Sequence, residues 1–310
     1  MTKDQFIKKS KRPFYGITKW LGRHNPELLV RIRYFVRFHR CLNLKNPRNL
    51  NEKILYLSLR TNTEEWTRLA DKHKVRQFVE DRGLGDTLVT AYGAWDNAQK
   101  VDFDKLPQSF VLKSTNGSGD VIIVNDKSEL NIDKIRKTLA RMLRSPYGEL
   151  EGGIHYMRIE RRIIAEEMLF NDPVSAEYSK SLIDYKVWCF NGKAHFVWAC
   201  CNRDKNGADV MTFDADWNAH PEYCNFTSHF RRGPVIPKPS NLEQLLSTAE
   251  KLAEGFPVVR VDLYDVGNKI YFGEMTFTAF GGLIQVYTSE FLQICGDMIT
   301  LPLICQSVKR

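Results

Sequence analysis

The stretch Phe110–Val124, FVLKSTNGSGDVIIV, decides how the middle of the chain folds. It places Lys113 before a loop of Ser, Thr, Asn, Gly and Asp, with apolar residues on both sides. A P-loop has its lysine after the glycines and continues into a helix. Here the β-branched run Val121–Val124 follows, which predicts a second strand. The stretch therefore predicts a hairpin, and the glycines alone leave open whether its loop is an ordinary turn or a phosphate site.

Two further hairpins are predicted towards the C-terminus. Asn191-Gly192 lies between two apolar runs and is a strong two-residue turn signal. A Val-Gly-Asn turn at 266–268 separates another pair of strand-like runs. Helical spacing of apolar residues occurs in three segments: 51–83, 131–144 and 241–255. This succession predicts an α+β fold with antiparallel hairpins rather than a regularly alternating doubly wound sheet.

Proline and other loop-forming residues are frequent in the segment 204–240, which we expect to be largely loop. It gives few other signals, so no substrate can be named from it.

Composition narrows the class of protein. The chain has 310 residues, of which 43% are hydrophobic, enough for one large domain or two. No apolar run approaches the roughly 18 residues of a transmembrane helix. The basic start of the chain lacks the apolar core of a signal peptide. Seven cysteines without a CxxC pair suit free thiols in a reducing cytoplasm.

The basic charge of the chain is concentrated at its N-terminus. The formal net charge is +8, but residues 1–50 contain thirteen Lys/Arg and two Asp/Glu, a net charge of +11. Leu29, Ile32, Phe35 and Val36 are spaced to share one helical face. Such a helix can lie on an anionic membrane surface. Alternatively, it is a solvated helix docked on the main domain with its arginines outward. No nucleic-acid motif accompanies the charge, and we expect no nucleic-acid partner.

The late strand pair predicts a charged surface. Alternate residues of a strand face the same side, so Arg260 and Asp262 share a face, as do Glu274 and Thr276. The turn between the strands would bring these four side chains together. Two carboxylates and a hydroxyl are oxygen ligands of the kind that Mg²⁺ prefers, and an arginine beside them can hold a phosphoryl group. The alternative is a strand face with charge-paired residues.

Five features of the chain occur in an order seen in one superfamily. They are a helix start at Asp71-Lys72, FVLK followed by STNGSGD, the strand IIAEEML, the RVD of a late strand, and GEMTFTAFGG. In these features the chain resembles ATP-grasp proteins, and it is most similar to the TupA-like family, which is associated with teichuronopeptide and surface-polysaccharide biosynthesis. DYKVWCFNGK and IYFGEMTFT are typical of that family. Thr276 stands where most ATP-grasp enzymes have a metal-binding asparagine.

The resemblance implies an ATP-grasp fold, in which two α/β subdomains of antiparallel sheet and helices clasp the nucleotide. It divides the chain into a basic helical extension, an N-terminal helical part, a small subdomain with the glycine-rich lid and hinge, and a C-terminal subdomain with the metal site. The predicted boundaries are 1–50, 51–107, 108–170 and 171–310.

The resemblance also assigns roles to residues, with ATP and Mg²⁺ as cofactors. The implied ATP-binding residues are Lys72, Lys113, Ser114, Asn116, Gly117, Ser118, Gly119, Glu166, Glu167, Met168, Leu169, Asp184 and Lys186. Among these, Glu166–Leu169 would form the adenine hinge. The implied metal ligands are Asp262, Glu274 and Thr276, and the implied catalytic residues are Arg260, Arg203 and Lys113. The histidines show no zinc spacing.

The family implies a ligase that activates a carboxylate with ATP and joins it to an amine. The expected partners are an amino acid or similar amine and a uronic-acid glycan or its lipid-linked precursor. The expected location is the cytoplasm, including the inner face of the plasma membrane. Three alternatives stay open: a phosphotransferase acting on a sugar hydroxyl, the glycosyltransferase label often given to the family, and a non-catalytic nucleotide-binding protein.

Overall fold

The computed structural model describes residues 14–117 and 119–302. Ten strands form two sheets within these ranges. The four-stranded sheet has the order β1-β4-β2-β3, and its strands are β1 (Ala91–Trp95), β2 (Phe110–Ser114), β3 (Val121–Val124) and β4 (Ile163–Glu166). The six-stranded sheet has the order β10-β9-β5-β6-β7-β8, and its strands are β5 (Asp184–Phe190), β6 (Lys193–Asp204), β7 (Gly207–Asp214), β8 (Phe230–Arg232), β9 (Val258–Val266) and β10 (Lys269–Thr276).

Eleven α-helices accompany the sheets in the described part of the chain. The first five are α1 (Tyr15–His24), α2 (Pro26–Phe38), α3 (Leu50–Arg60), α4 (Glu64–Ala70) and α5 (Val75–Asp81). The others are α6 (Ile132–Leu143), α7 (Tyr147–Glu151), α8 (Ile154–Arg158), α9 (Pro173–Tyr178), α10 (Leu242–Ala253) and α11 (Ser289–Met298). None of the helices described here has both the length and the apolar character needed to cross a bilayer.

Each sheet has its own apolar core. The larger core lies under the six-stranded sheet and includes Trp188, Phe213 and Leu245. The smaller core lies between the four-stranded sheet and α6, and includes Phe110 and Leu139. The predicted α+β architecture is confirmed, while the four domain boundaries predicted from the sequence stay predictions.

The three predicted hairpins are present. β2 pairs antiparallel with β3, and Lys113 lies opposite Val121. Asn191 and Gly192 join β5 to β6 with φ angles of 49° and 79°, the left-handed conformation that an Asn-Gly turn adopts. In β2 burial alternates, so Phe110 and Leu112 enter the core while Lys113 points to the half-buried face.

The prediction that 204–240 is largely loop was wrong for its first half. Residues 207–214 form β7, which pairs antiparallel with β6, and β8 pairs with β7 in parallel. Ala208, Val210 and Phe213 of β7 are fully buried or nearly so. The prolines that suggested a loop begin only at Pro221, so they punctuate the chain after this strand has ended.

A β-bulge in β10 determines which side chains face each other across the β9–β10 hairpin. Near the turn, Phe272 lies opposite Leu263; beyond the bulge at Gly273, Glu274 lies opposite Asp262. An unbroken ladder would have put Glu274 opposite Val261 and therefore on the other face of the sheet. A Cβ on Gly273 would lie 2.9 Å from the Asp262 carbonyl oxygen and 3.2 Å from a Tyr264 ring carbon. The bulge therefore has room for glycine only.

We expect Gly273→Ala to lower the free energy of unfolding by about 1–3 kcal/mol, because the added methyl group must displace backbone. Urea denaturation measures the change. Gly16→Ala is the control, since a Cβ there meets nothing within 4 Å in helix α1 and should be neutral or stabilising. Equal destabilisation by the two variants would contradict the close packing at Gly273.

Glu27 joins helices α2 and α3. Its carboxylate accepts hydrogen bonds from Arg60 at 2.7 and 2.8 Å and from Arg31 at 2.9 and 3.0 Å. The hydrogen bond from Arg60, reinforced by Arg31, lowers the pKa of Glu27 to about 2. The carboxylate is therefore charged, and this contact stabilises the fold at neutral pH.

We expect Glu27→Gln to cost about 1 kcal/mol of unfolding free energy at neutral pH, as for other partly exposed ion pairs. Because the pKa is lowered on folding, the wild-type advantage should be complete above about pH 4.5 and should shrink as the pH falls towards about 2. Denaturant titrations at several pH values measure it. Glu65→Gln, which removes a pair within helix α4, is the control. A pH-independent difference would contradict the assignment.

Candidate functional site

Lys72 connects the glycine-rich loop of one sheet to a carboxylate of the other. It lies in the turn between α4 and α5, where Asp71 accepts hydrogen bonds from the N–H groups of His73 and Lys74. The Lys72 ammonium donates to the Gly117 carbonyl at 2.9 Å and lies 3.1 Å from a Glu274 oxygen. Predicted phosphate-binding and metal-binding residues therefore meet at this one side chain.

Lys113 faces the hinge strand rather than open solvent. Its Nζ donates to Glu166 Oε2 at 2.7 Å, because β2 and β4 are neighbours in the sheet. Arg76 of helix α5 lies 3.7 Å from the other oxygen of Glu166. Glu166 is 6% exposed, so this carboxylate is buried with two cations. The structure brings the predicted lysine and hinge together as an ion pair.

Three strands of the six-stranded sheet place opposite charges side by side. Lys186 of β5 and Glu274 of β10 both lie opposite Asp262 of the central strand β9. The Lys186 ammonium forms ion pairs with Asp262 and, at 2.7 Å, with Asp184. Arg203 extends the chain of charges, since its guanidinium donates to Asp184 at 3.2 Å. We call Arg203, Asp184, Lys186, Asp262, Arg260 and Glu274 the charged row.

Arg260 is paired with the Asp262 carboxylate of the charged row. It donates two hydrogen bonds to Asp262, Nε to Oδ1 at 2.7 Å and Nη2 to Oδ2 at 2.8 Å. The same Nη2 donates to the Thr276 hydroxyl at 3.2 Å, and that hydroxyl lies 3.4 Å from Glu274 Oε1. The four side chains predicted to converge do converge. In this structure the guanidinium, which the sequence suggested as a phosphoryl ligand, is hydrogen-bonded to Asp262.

The surroundings favour the charged forms of Asp184, Lys186 and Glu274 despite burial. Burial raises the pKa of Asp184, but Lys186 and Arg203 outweigh it and the net shift is downward. Burial also favours the neutral form of Lys186, yet Asp184 and Asp262 raise its pKa. Burial alone would raise the pKa of Glu274, but Lys72, Lys186 and Arg260 lower it to about 2. For Asp262, burial dominates and the pKa is raised.

Several polar atoms of the site are buried without a hydrogen-bond partner among residues 14–117 and 119–302. They are Ser114 Oγ and Asn116 Oδ1 in the glycine-rich loop, and Asp184 Oδ1 in the charged row. Buried polar groups are nearly always hydrogen-bonded, so unpartnered ones call for a ligand, an ion or water. Gly117 is closely packed, since a Cβ there would lie 2.9 Å from Ser114 Oγ. Gly119 has a φ of 77°, which glycine adopts without strain. Ser118 lies outside the described residues.

The predicted hinge is only partly available to a ligand. The backbone N–H of Glu167 donates to the Thr90 carbonyl at 2.9 Å, and its carboxylate accepts from the Thr90 hydroxyl at 2.8 Å. The backbone N–H of Glu167 is therefore already hydrogen-bonded within the protein. Met168 and Leu169 are half-buried beyond the end of β4.

Two residues of the site were missed from the sequence. Arg76 was overlooked, although it follows Lys72 by four residues and contacts Glu166. Tyr264 follows Asp262 by two residues in β9 and so lies on the same face of the sheet. The charge of Asp184, together with burial, raises the pKa of Tyr264 well above its usual value. The alternation that singled out Arg260 and Asp262 would have reached Tyr264 had it been continued.

The oxygen ligands present suit a hard divalent cation bound through few protein groups. Within 14–117 and 119–302, no three His, Cys, Asp or Glu side chains are arranged to hold a metal ion. Mg²⁺ commonly takes one or two carboxylates and completes its shell with phosphates and water. Glu274, whose side chain is 33% exposed, and Asp262, which lies directly opposite it, match that smaller requirement.

Comparison with known proteins bears on the family of the chain. A sequence model described as TupA-like ATP-grasp matches residues 52–300. D-alanine–D-alanine ligase from Bacillus anthracis, solved with ATP, is 15% identical with a TM-score of 0.45, and the match covers 82% of this chain and 73% of that one. The ATP-grasp ligase PsnB, complexed with a minimal precursor, is 12% identical with a TM-score of 0.41, over 80% and 67% of the two chains.

D-alanine–D-alanine ligase from Helicobacter pylori is 13% identical with a TM-score of 0.42, over 82% of this chain and 68% of that one. No curated protein sequence matches the chain. All three TM-scores are below 0.5, so the family assignment rests on the sequence model. That model spans most of the chain and includes both sheets, the glycine-rich loop and the charged row: the protein belongs to the TupA-like ATP-grasp family.

Proposed function

We propose that this protein is an ATP-dependent ligase that joins a carboxylate to an amine through an acyl phosphate. One observation carries the proposal: the Lys72 ammonium bridges the Gly117 carbonyl and the Glu274 carboxylate. The glycine-rich loop and the charged row are thereby connected through one lysine side chain. A triphosphate under the loop would lie beside the carboxylates that can hold its metal ion.

ATP is the proposed nucleotide, with its phosphates below the loop 114–119. Lys72 and Lys113 supply the cations, since lysine acts as a point charge on phosphate. Ser114 and Asn116 offer buried polar atoms that have no hydrogen-bond partner in the described part of the chain. The glycines allow backbone N–H groups to approach the phosphates. Glu166 and the segment 167–169 form the proposed adenine contact, with Glu166 exchanging its bond to Lys113 for one to the base.

Mg²⁺ is proposed at Asp262 and Glu274, with Thr276 beside them. When bound, it would neutralise phosphate charge during transfer. Arg260 and Lys186 hold Asp262 in place by ion pairs from both sides. Thr276 accepts from Arg260 and is therefore positioned by the same guanidinium.

The proposed reaction has two steps. An oxygen of the substrate carboxylate attacks the γ-phosphorus, the bond from that phosphorus to the bridging oxygen of ADP breaks, and an acyl phosphate forms. The amine nitrogen then attacks the acyl carbon, phosphate leaves, and the nitrogen loses a proton to give the amide. Positioning and charge stabilisation make up most of the protein's contribution to phosphoryl transfer. Lys113, Arg203 and Arg260 are the proposed cations for the transition state.

The proposed acceptor is a uronic-acid carboxylate of a bacterial surface glycan or its lipid-linked precursor, and the proposed amine is an amino acid. The family resemblance supports the glycan. Arg203 supports a carboxylate: its side chain is half-exposed at the end of the charged row, where an anionic substrate can reach it. We place the reaction in the cytoplasm, in keeping with the free cysteines of the described residues.

The metal-site assignment predicts that Asp262→Asn and Glu274→Gln lower carboxylate-dependent ADP formation by about 100-fold or more, as loss of transition-state charge stabilisation does. A coupled ADP assay measures this. Asp265→Asn is the matched control, because it makes the same change on β9 where Asp265 contacts Asn241. Near-normal turnover in both site variants, with folding intact, would refute the proposed metal site.

The phosphate-binding assignment predicts that Lys72→Ala weakens ATP binding by about tenfold or more through lost charge, whereas Lys74→Ala does not. Lys74 is the matched control because it lies two residues away and pairs with Glu160 outside the site. Titration calorimetry with a non-hydrolysable ATP analogue measures both. Equal affinity in the two variants would place Lys72 outside the nucleotide site.

Lys113→Ala should also weaken ATP use strongly, but it leaves Glu166 buried without its lysine partner and so lowers stability. The double variant Lys113→Ala/Glu166→Gln should recover most of the stability without recovering ATP turnover. Recovery of both, measured by urea denaturation and ADP formation, would show that Lys113 has a structural role only.

Product analysis separates the reaction classes. Incubation with ATP and a panel of uronic acids and amino acids, followed by mass spectrometry, should give an amide that requires both substrates. A stable phosphorylated sugar formed without an amine would identify a phosphotransferase, and ATP binding without any turnover would identify a non-catalytic protein.

A further inference from the structure

The second N-terminal helix exposes an apolar stripe. Leu28, Ile32, Phe35 and Val36 are between 42% and 67% exposed. Ile32, Phe35 and Val36 follow Leu28 by four, seven and eight residues, which puts all four on one face of α2. On the opposite face Val30 and Tyr34 are buried against the body of the protein, and Leu29 is buried at the edge of the stripe. The sequence had grouped Leu29 with the other stripe residues; the structure puts Leu28 there instead.

The first helix exposes apolar side chains as well. Ile17 and Trp20 are 57% and 59% exposed, and Phe14, just before α1, is 66% exposed. Gly22 lies on the opposite side of the helix, about 200° around the axis from Trp20. A Cβ on Gly22 would lie 1.7 Å from the Glu149 carbonyl oxygen. Trp20 therefore faces away from the surface on which α1 packs.

Both helices pack on one short segment of the protein. Val30 is about 200° around α2 from Ile32 and packs against Gly152, where a Cβ would lie 2.8 Å from it. Glu149 and Gly152 belong to one short segment at α7. The two helices thus rest on the same support, and each turns its exposed stripe away from it. We call residues 14–36, with these stripes, the outer apolar face.

Basic side chains anchor the two helices from beneath. Arg23 and Lys19 pair with the buried carboxylate of Glu149 at 2.6 and 3.6 Å, and Arg33 pairs with Glu151. A surface helix normally buries its apolar face and exposes its charges. Here Leu29, Val30 and Tyr34 are buried together with ion pairs beneath the helices, and a second set of apolar residues faces out. The docked helix of the sequence-based alternative is present, with Arg37 and Arg40 outward and Arg33 paired beneath it.

Charge indicates what covers the outer apolar face. Residues 14–40 contain six Lys/Arg and one Glu, a net charge of +5. A second copy of this chain would bring two such surfaces together and oppose their like charges. An anionic lipid surface offers headgroup charge to the arginines and hydrocarbon to the exposed rings. Arg37, in the last turn of α2, and Arg40, just after it, are exposed, and such long basic side chains can reach headgroups beside an inserted stripe.

We propose that the outer apolar face docks this protein on an anionic membrane surface, with α1 and α2 lying in the interface. The inference is independent of the ligase chemistry, because none of these residues belongs to the candidate site. The anchoring ion pairs keep both helices formed and oriented before they meet the lipid.

Vesicle co-sedimentation of the full chain tests the proposal. Vesicles of phosphatidylcholine with added phosphatidylglycerol should retain the protein, and vesicles of phosphatidylcholine alone should retain much less. High salt should weaken the retention because it screens the basic residues. Ile32→Ser/Phe35→Ser should reduce binding to the anionic vesicles by at least about tenfold, since each side chain loses the gain from burial in hydrocarbon.

Val174→Ser/Val235→Ser is the matched control, because these valines are 65% and 64% exposed elsewhere on the protein. Binding should be unchanged in that variant, and thermal unfolding should show that both variants are folded. No retention by anionic vesicles at low salt, or equal retention of both double variants, would overturn the proposal. So would sedimentation velocity showing a wild-type dimer that Ile32→Ser/Phe35→Ser converts to monomer, because the face would then be a self-association surface.

Discussion

The ion pairs around Asp262 are the constraint on which the candidate site depends. This carboxylate is 2% exposed on the central strand of a three-strand segment, and burial favours its neutral form. Arg260 forms an ion pair with it from the same strand, and Lys186 forms one from the neighbouring strand. Taking charges out of water costs several kcal/mol per ion unless partners compensate. The strands β5, β9 and β10 must therefore keep their register for the charges to remain paired.

Lys72 extends this constraint to the other sheet. The glycine-rich loop belongs to the hairpin of the smaller core, whereas Glu274 belongs to the larger one. One flexible side chain contacts both, and its own backbone N–H lies 3.4 Å from the Thr115 carbonyl. The loop is thus held near the charged row by a few polar contacts rather than by a packed apolar interface. Such contacts can exchange for contacts to phosphate without disturbing either core.

The N-terminal helices follow a different principle of attachment. The buried carboxylate of Glu149 forms ion pairs with Lys19 and Arg23. Part of the basic charge of this segment therefore attaches helix α1 to the body of the protein. Leu29, Val30 and Tyr34 of α2 are buried against the body as well, and a second set of apolar residues is left on the outside. The net charge of residues 1–50 is visible in the sequence, but charge alone does not say which face of a helix is turned to the body.

Local patterns in the sequence were sufficient for predicting the hairpins and the family. Each depends on turn chemistry, on alternation over a few residues or on the order of short motifs. β7 was missed because the composition of a long window hid a strand that is defined by its pairing with β6. The contacts of Lys72 with Gly117 and Glu274 were also beyond local reasoning, since they are set by which strands and loops become neighbours.

The pairing of Glu274 opposite Asp262 shows most clearly what could not be predicted from local sequence patterns. A two-residue turn at Gly267-Asn268 pairs even-numbered residues of one strand with odd-numbered residues of the other, so simple alternation puts these carboxylates on opposite faces. The sequence by itself determined the two strands, their turn and the residue types at each position. Only the tertiary structure decided that the extra residue is accommodated at Gly273, because a bulge forms where the backbone must pass close to Asp262 and Tyr264 and only glycine leaves room.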